Sequence, residues 1–369
     1  MRVLMTCGGT GGHINPAIAI ASTIKNNIPD TEILFVGTKR GKEEELVSRE
    51  GYEIRFVESR GIRRSFSISN IKAVYTALIS PYKAKAILKD FKPDVVIGTG
   101  GYACWPVLRA AAMMKIPCAV HESNAKAGMA VKRLQYHVDK ILVNFEKTKE
   151  ELRCKNKVVT VGNPLKSAFS CVEKENARDV LGIPKDVLFV LSYGGSGGAE
   201  FLNETMVEVM AAFAEKHPEV LLEHAAGKRD YAPTKARFEA RGLAGKENLW
   251  LKEYIFDMPI HMAAADLVIC RAGAMTLSEL AMMGKAAILI PSPHVTDNHQ
   301  YKNAKVLADA GAACLLEEGS LTPSRLTQNI EYYLFRQNER QRMELLVKDF
   351  ADPDANRRIF EEILKLTKK

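Results

Sequence analysis

The chain has 369 residues, 47% apolar and 26% charged, with a formal net charge of +8, a composition that supports two globular domains with full cores. No apolar run is long enough to span a bilayer and no signal-peptide pattern opens the chain, so a cytoplasmic, reduced setting is expected. Seven scattered cysteines (7, 104, 118, 154, 171, 270 and 314) form no C-x-x-C pair, which argues against a zinc or disulfide framework.

Strands and helices alternate from the first residue. Short apolar runs at 3–6, 32–36, 53–57, 94–97, 118–121, 140–143 and 158–161 predict buried strands. Helical patterns at 16–27, 42–50, 68–91, 105–115 and 128–136 lie between them. Val161-Gly162-Asn163-Pro164 makes the first break, after which the pattern restarts. Strands are expected at 187–192, 220–225, 249–254, 267–270, 286–290 and 313–316, with helices at 200–216 and 321–335 among them. The fold class is therefore α/β, with two Rossmann-like, doubly wound parallel-sheet domains. Their expected limits are 1–162 and 163–351. An amphipathic helix at 354–366, within a last segment 352–369, is expected to pack back on the first domain.

Each half opens with a glycine-rich strand-to-helix turn. The first holds Gly8, Gly9, Thr10, Gly11, Gly12 and His13, and the second runs Gly194-Gly195-Ser196-Gly197-Gly198. Glycines let a ligand lie against bare backbone, and amides at the positive end of a helix dipole favour phosphate. Neither turn completes G-x-G-x-x-G, strand 32–36 ends without an acid placed for a ribose hydroxyl, and Walker A is absent. Phosphate binding survives this test; dinucleotide binding does not. A third strand–turn–helix, 267–279, presents Gly273, Ala274, Met275 and Thr276 at a helix start, with Glu279 about one turn in.

Charge is concentrated. Between Arg60 and Lys92 eight basic residues face one acid, a net +7 that nearly accounts for the whole excess. Ile62, Phe66, Ile71, Tyr75, Leu78, Ile79 and Tyr82 interleave there with Arg63, Arg64, Lys72, Lys83 and Lys85. That mixture suits an anionic membrane surface, although part of the apolar face must also pack on the sheet. No nucleic-acid module or aromatic platform accompanies it, so nucleic acid is not an expected partner.

His13 reads either as the base that takes a proton from an attacking hydroxyl or as a helix-capping or substrate-positioning residue. Glu122 and His121 are a further polar pair, without the H-E-x-x-H spacing of a zinc site. No Asp-x-Asp triplet is present to hold a cation at a diphosphate, so no metal is expected.

Gly8-Gly9-Thr10-Gly11-Gly12-His13, Gly100-Gly101-Tyr102, His121-Glu122-Ser123-Asn124, Gly162-Asn163-Pro164, Gly194-Gly195-Ser196, Cys270-Arg271-Ala272-Gly273-Ala274 and His299-Gln300 together resemble the MurG family of bacterial glycosyltransferases, in motif order and along the whole chain. The resemblance implies a GT-B fold, with two domains facing across a cleft. It implies inverting transfer of N-acetylglucosamine from UDP-N-acetylglucosamine, a substrate rather than a cofactor, to the C4 hydroxyl of the muramyl sugar of lipid I, giving lipid II. The implied catalytic residues are His13 and Glu122. Implied donor contacts are Thr10, Gly11, Gly12, Asn124, Lys166, Ser196, Ile255, Gly273, Ala274, Met275, Thr276, Glu279 (on the ribose), His299 and Gln300. Implied acceptor contacts are Gly9, Thr10, Gly100, Gly101 and Tyr102. The implied location is peripheral, on the cytoplasmic face of the cell membrane, with cell-wall or division machinery as partners. Ser123, Gly197 and Lys166 depart from the family pattern, where glutamine, glutamine and arginine are usual; Lys166 keeps the charge without the bidentate fork. Alternatives are another UDP-sugar transferase, a UDP-sugar epimerase, or a non-catalytic sugar-nucleotide-binding membrane protein.

Overall fold

The computed structural model describes residues 1–39, 41–59, 68–295 and 298–368, with backbone alone at 68–78. The chain divides into two compact units, Met1–Lys166 with Asp352–Lys369, and Ser167–Ala351.

In the first unit, β1 (Arg2–Thr6), β2 (Glu32–Gly37), β3 (Glu53–Phe56), β4 (Val95–Gly98), β5 (Cys118–Glu122), β6 (Lys140–Val143) and β7 (Val158–Thr160) form one parallel sheet. Their order is β3-β2-β1-β4-β5-β6-β7. Strand order reverses between β1 and β4, so the turns leaving these two strands emerge side by side, at the edge where doubly wound sheets bind ligands. Leu4, Val36, Val96, Val120 and Ile141 pack with Leu88, Val107, Leu108 and Leu134 in a continuous core. Both sheet faces are covered, which is why these strands read as unbroken apolar runs.

The second unit repeats the plan with β8 (Phe189–Tyr193), β9 (Leu221–Ala225), β10 (Leu249–Lys252), β11 (Leu267–Cys270), β12 (Ala287–Leu289) and β13 (Cys314–Leu315). Its parallel sheet runs β10-β9-β8-β11-β12-β13, with the reversal between β8 and β11. Tyr193 pairs with Cys270, so the glycine turn after β8 and the turn after β11 leave adjacent strand ends.

Three local expectations change. The first helix is Gly11–Asn27, so it begins five residues before Pro16. Thr10 is its extended N-cap (φ −128°, ψ 161°), and Pro16 lies inside, where its missing N–H leaves the Gly12 carbonyl without a ladder donor. His13 therefore belongs to the first turn of a helix. The strand predicted at 249–254 stops at Lys252, leaving Ile255 beyond its end. A helix at Gln337–Lys348, given no element in the sequence pattern, connects to the tail.

The tail helix, Ala355–Thr367, lies on the first unit. Ile359, Phe360 and Ile363 close against Ile20, Thr23 and Ile24 of the first helix. The Asn356 side chain pairs with the backbone of Leu165 in both directions: Nδ2 donates to its carbonyl at 2.7 Å and Oδ1 accepts from its amide at 3.1 Å. Among the described residues, no helix is long and apolar enough to cross a membrane.

Candidate active site

At the switch point of the first sheet, two backbone turns touch. A Cβ placed on Gly101 (φ +83°) would sit 2.1 Å from the Gly8 carbonyl oxygen, so only glycine lets the turns after β1 and β4 meet. The Cys104 thiol lies between them, its one proton within reach of the carbonyls of Thr6 (3.1 Å) and Gly100 (2.9 Å). Burial pushes that thiol up to about 12, so it is a packing group rather than a nucleophile. Thr10, Gly12 and Tyr102 are exposed around the turns, Gly9, His13 and Gly101 half-buried, and Gly11 and Gly100 buried.

His13 lies across Gly100, whose Cβ would fall 2.6 Å from Nδ1. That nitrogen is 3.1 Å from the Thr99 carbonyl, which can only accept. Nδ1 therefore carries the proton, and in the neutral ring Nε2 is left with its lone pair. The far nitrogen, Nε2, is thereby the acceptor of the neutral ring.

Glu122, the last residue of β5, is used differently. Its Oε1 accepts from the amide and the side chain of Asn124, both at 3.0 Å, and its Oε2 accepts from the Gly128 amide at 2.7 Å. Both oxygens brace the 122–128 loop, which orients Asn124. That places Glu122 as a support rather than a proton carrier. His121 points to the other side of the strand. It is 1% exposed, and its Nε2 donates to the Gly162 carbonyl at 2.9 Å. Burial pulls its pKa down to about 4, so it is a neutral brace and not a partner of Glu122.

The second unit presents three elements at its own switch point. In the turn after β8, Gly195 and Gly198 have φ of +92° and +86°. Gly198 lies against Gly227, which follows β9. Ser196 is half-buried there. In the turn after β11, Gly273 is the extended N-cap of the helix Ala274–Met283, which carries Ala274, Met275, Thr276 and Glu279. That helix start turns its positive dipole end toward the turn after β11. Glu279 is buried at its second turn, close enough to Tyr193 and Cys270 for its charge to raise both, each chiefly displaced by burial. Ile255 is buried beyond the end of β10. Gln300, early in the helix His299–Asp309, accepts from the Ser292 amide through Oε1 at 2.9 Å, which leaves its NH2 as the group to offer a ligand. His299 beside it is half-buried.

Two supports carry no sequence signal. Under the second glycine turn, Asn203 donates from Nδ2 to the Ala226 carbonyl (2.9 Å), which turns Oδ1 toward His224 Nε2 (3.0 Å). Nε2 must then be protonated, so Nδ1 accepts from the Ser192 hydroxyl at 3.1 Å. His224 is fully buried and held down to about 4 by desolvation. Under the first glycine turn lies Glu43, also fully buried.

Lys166 is not poised alone. Its Nζ is 2.5 Å from Glu50, on the first unit. Of the basic window, Ile62, Arg63, Arg64 and Phe66 lie outside the described residues. Ile71, Lys72, Tyr75 and Leu78 fall on the helix Ile68–Phe91. Further along it Ile79 is half-buried and Tyr82 is 63% exposed. Lys85 stands over the Tyr82 ring at 5.2 Å, whereas Lys83 pairs with Glu58 at 2.8 Å, so part of the positive charge is neutralised locally. Among the described residues, no group of three His, Cys, Asp or Glu side chains is arranged to hold a metal ion.

Residues 3–143 match the glycosyltransferase family 28 N-terminal domain, and residues 187–359 match the family 28 C-terminal domain. The chain is 44% identical to the UDP-N-acetylglucosamine–N-acetylmuramyl-(pentapeptide) pyrophosphoryl-undecaprenol N-acetylglucosamine transferase of Acetivibrio thermocellus, covering 100% of this chain and 99% of that one. The crystal structure of Acinetobacter baumannii MurG superposes with a TM-score of 0.70 at 29% identity, over 99% of both chains. A UDP-GlcNAc 2-epimerase from Neisseria meningitidis superposes with a TM-score of 0.67 at 15% identity, over 99% of this chain and 100% of that one, a likeness of fold alone. With identity sustained along its whole length and both family domains in place, the chain belongs to glycosyltransferase family 28, among the MurG transferases.

Proposed function

We propose that this chain transfers N-acetylglucosamine from UDP-N-acetylglucosamine to the C4 hydroxyl of the muramyl sugar of lipid I, with inversion, and so makes lipid II. Full-length identity of 44% to a transferase named for that reaction carries the reading. The site chemistry agrees with it. The reaction has a diphosphate leaving group on the donor and a second diphosphate beneath the acceptor sugar. Each unit offers a glycine turn feeding a helix N-terminus, and the second unit adds the helix start at Gly273.

In this reading the turn Gly194–Gly198 and the amides from Ala274 onward take the donor diphosphate, and Glu279 accepts the ribose hydroxyls. Gln300 donates its NH2 to the sugar. The turns at 8–12 and 100–101 take the acceptor diphosphate, and Asn124, held by Glu122, contacts the sugar. The acceptor oxygen attacks C1 from the face opposite the leaving group. One C–O bond forms as the bond to UDP breaks, and the hydroxyl proton passes to His13 Nε2. A single displacement needs no protein nucleophile, and it inverts the anomeric centre. The basic window at 60–92 holds the enzyme peripherally at an anionic membrane face, where its lipid-linked acceptor resides.

Purified protein supplied with labelled UDP-N-acetylglucosamine and lipid I is expected to give labelled lipid II and one equivalent of UDP. Release of UDP with no glycosylated lipid, or epimerised donor in its place, would overturn the assignment.

A further inference from the structure

Glu43 is a buried carboxylate that the transfer reaction as described does not use, yet the fold is shaped around it. A single oxygen, Oε1, accepts three hydrogen bonds: from the Gly9 amide (3.0 Å), the Thr38 amide (3.2 Å) and the Thr38 hydroxyl (2.9 Å). The side chain is 0% exposed. Two glycines make its seat. A Cβ on Gly37 would lie 2.9 Å from the Glu43 Cβ, and a Cβ on Gly41 would lie 1.9 Å from Oε2. Oε1 has three protein donors in place of water, whereas Oε2 is buried without a hydrogen-bond partner, an expensive group for the fold to accommodate.

We infer that Glu43 is a positioning residue for glycosyl transfer: through the Gly9 amide it fixes the peptide plane of the first glycine turn, and with it the helix start that carries His13. Drawing the Gly9 N–H inward turns the Gly8 carbonyl of the same peptide unit away, and that carbonyl is the atom packed against Gly101. One carboxylate thus sets the contact between the turns after β1 and β4. Gly9 has φ +91°, a conformation open to glycine but strained for other residues, and the bond to Glu43 selects it from the many that glycine can adopt. Thr10, the next residue but one from Gly8, caps the helix whose first turn contains His13. The inference rests on the transferase reading for its readout, although the geometry stands without it.

The test uses the full-length chain with UDP-N-acetylglucosamine and a water-soluble lipid I analogue. Displacing reacting groups by an ångström costs on the order of a hundredfold in rate, so Glu43→Ala is expected to lower kcat about 100-fold. UDP affinity, measured by calorimetry, should stay within about twofold because its proposed turns lie on the other unit. Glu43→Gln keeps an acceptor at Oε1 and should recover to within about tenfold of the parent, as the conservative variant does for a positioning group. Gly41→Ala drives a methyl into Oε2, and to 2.9 Å from the Gly9 carbonyl, without removing the carboxyl, and should reproduce the loss. Parental kcat in Glu43→Ala, or equal loss of UDP binding and turnover, would each overturn the inference. If the parent chain itself transferred nothing, the transferase reading would fall instead, so the two failures are told apart.

Discussion

His13 and Thr99 hold each other through two hydrogen bonds: the ring Nδ1 donates to the Thr99 carbonyl at 3.1 Å, and the Thr99 hydroxyl donates to the His13 carbonyl at 2.6 Å. The pair joins the first turn of a helix to the end of β4, across the switch point of the sheet. It also determines which imidazole nitrogen can take a proton.

His13→Ala should therefore lower kcat by roughly 10²–10⁴-fold, the usual range for a lost general base, and leave UDP affinity unchanged. Steady-state kinetics beside UDP calorimetry separates these. Retention of full kcat would return His13 to a structural role.

Glu279→Ala should weaken UDP binding about 10- to 100-fold, in line with roughly 1.5–3 kcal/mol for hydrogen bonds to a charged group. The same change should leave UMP lacking its ribose hydroxyls, as the 2′,3′-dideoxy analogue, equally bound by parent and variant. A parental affinity for UDP would remove Glu279 from the donor site.

The second glycine turn offers a matched pair. Gly198 has φ +86°, and an added Cβ would fall 2.6 Å from the Ala226 carbonyl; Gly197 has nothing within 4 Å of that position. Gly198→Ala should cost about 1–3 kcal/mol of stability and weaken UDP binding, whereas Gly197→Ala should stay within about 0.5 kcal/mol. Urea midpoints and UDP titrations check both.

His121 and His224 make stability fall in acid. Each is held at about 4 by burial, against an ordinary value of 6.5. Between those values the unfolded chain takes up protons that the folded chain refuses, so stability is complete above pH 6.5 and declines toward pH 4. Each group contributes on the order of 3 kcal/mol to that decline, at 1.36 kcal/mol per pK unit. His224→Gln cannot take up the proton, so its unfolding free energy should fall less steeply from pH 6.5 to 4.5, whatever its stability at neutral pH. An identical slope would contradict the buried, neutral assignment.

Reversing Arg63 and Arg64 to glutamate should reduce binding to vesicles containing anionic phospholipid by at least about 2 kcal/mol, roughly thirtyfold, at about 1 kcal/mol per basic residue. Turnover of a water-soluble acceptor should be preserved. Unchanged vesicle binding would place the membrane surface elsewhere.

Much of this architecture was legible in the residues alone, because turn chemistry is local. Gly8 to Gly12 after an apolar run, and Gly194 to Gly198 after another, announce strand, turn and helix without reference to the rest of the chain. Alternation of such units implies parallel sheets and two domains. Pro16 misplaced the first helix start, since a proline usually opens a helix and here sits a turn and a half inside one.

The destinations of polar side chains were a different matter. Glu43 lies 34 positions from the Gly9 amide it accepts, Glu50 lies 116 from Lys166, and nothing in local spacing joins either pair. Glu122 looked available for proton transfer until its loop folded three donors onto it, and His121 beside it was turned into the interior by the alternation of β5. Sequence determined the class of fold, the glycine turns and the family, because φ preferences and apolar periodicity act within a few residues. Tertiary structure alone decided which ionisable groups serve as braces, because that depends on the strand and turn each meets across the sheet.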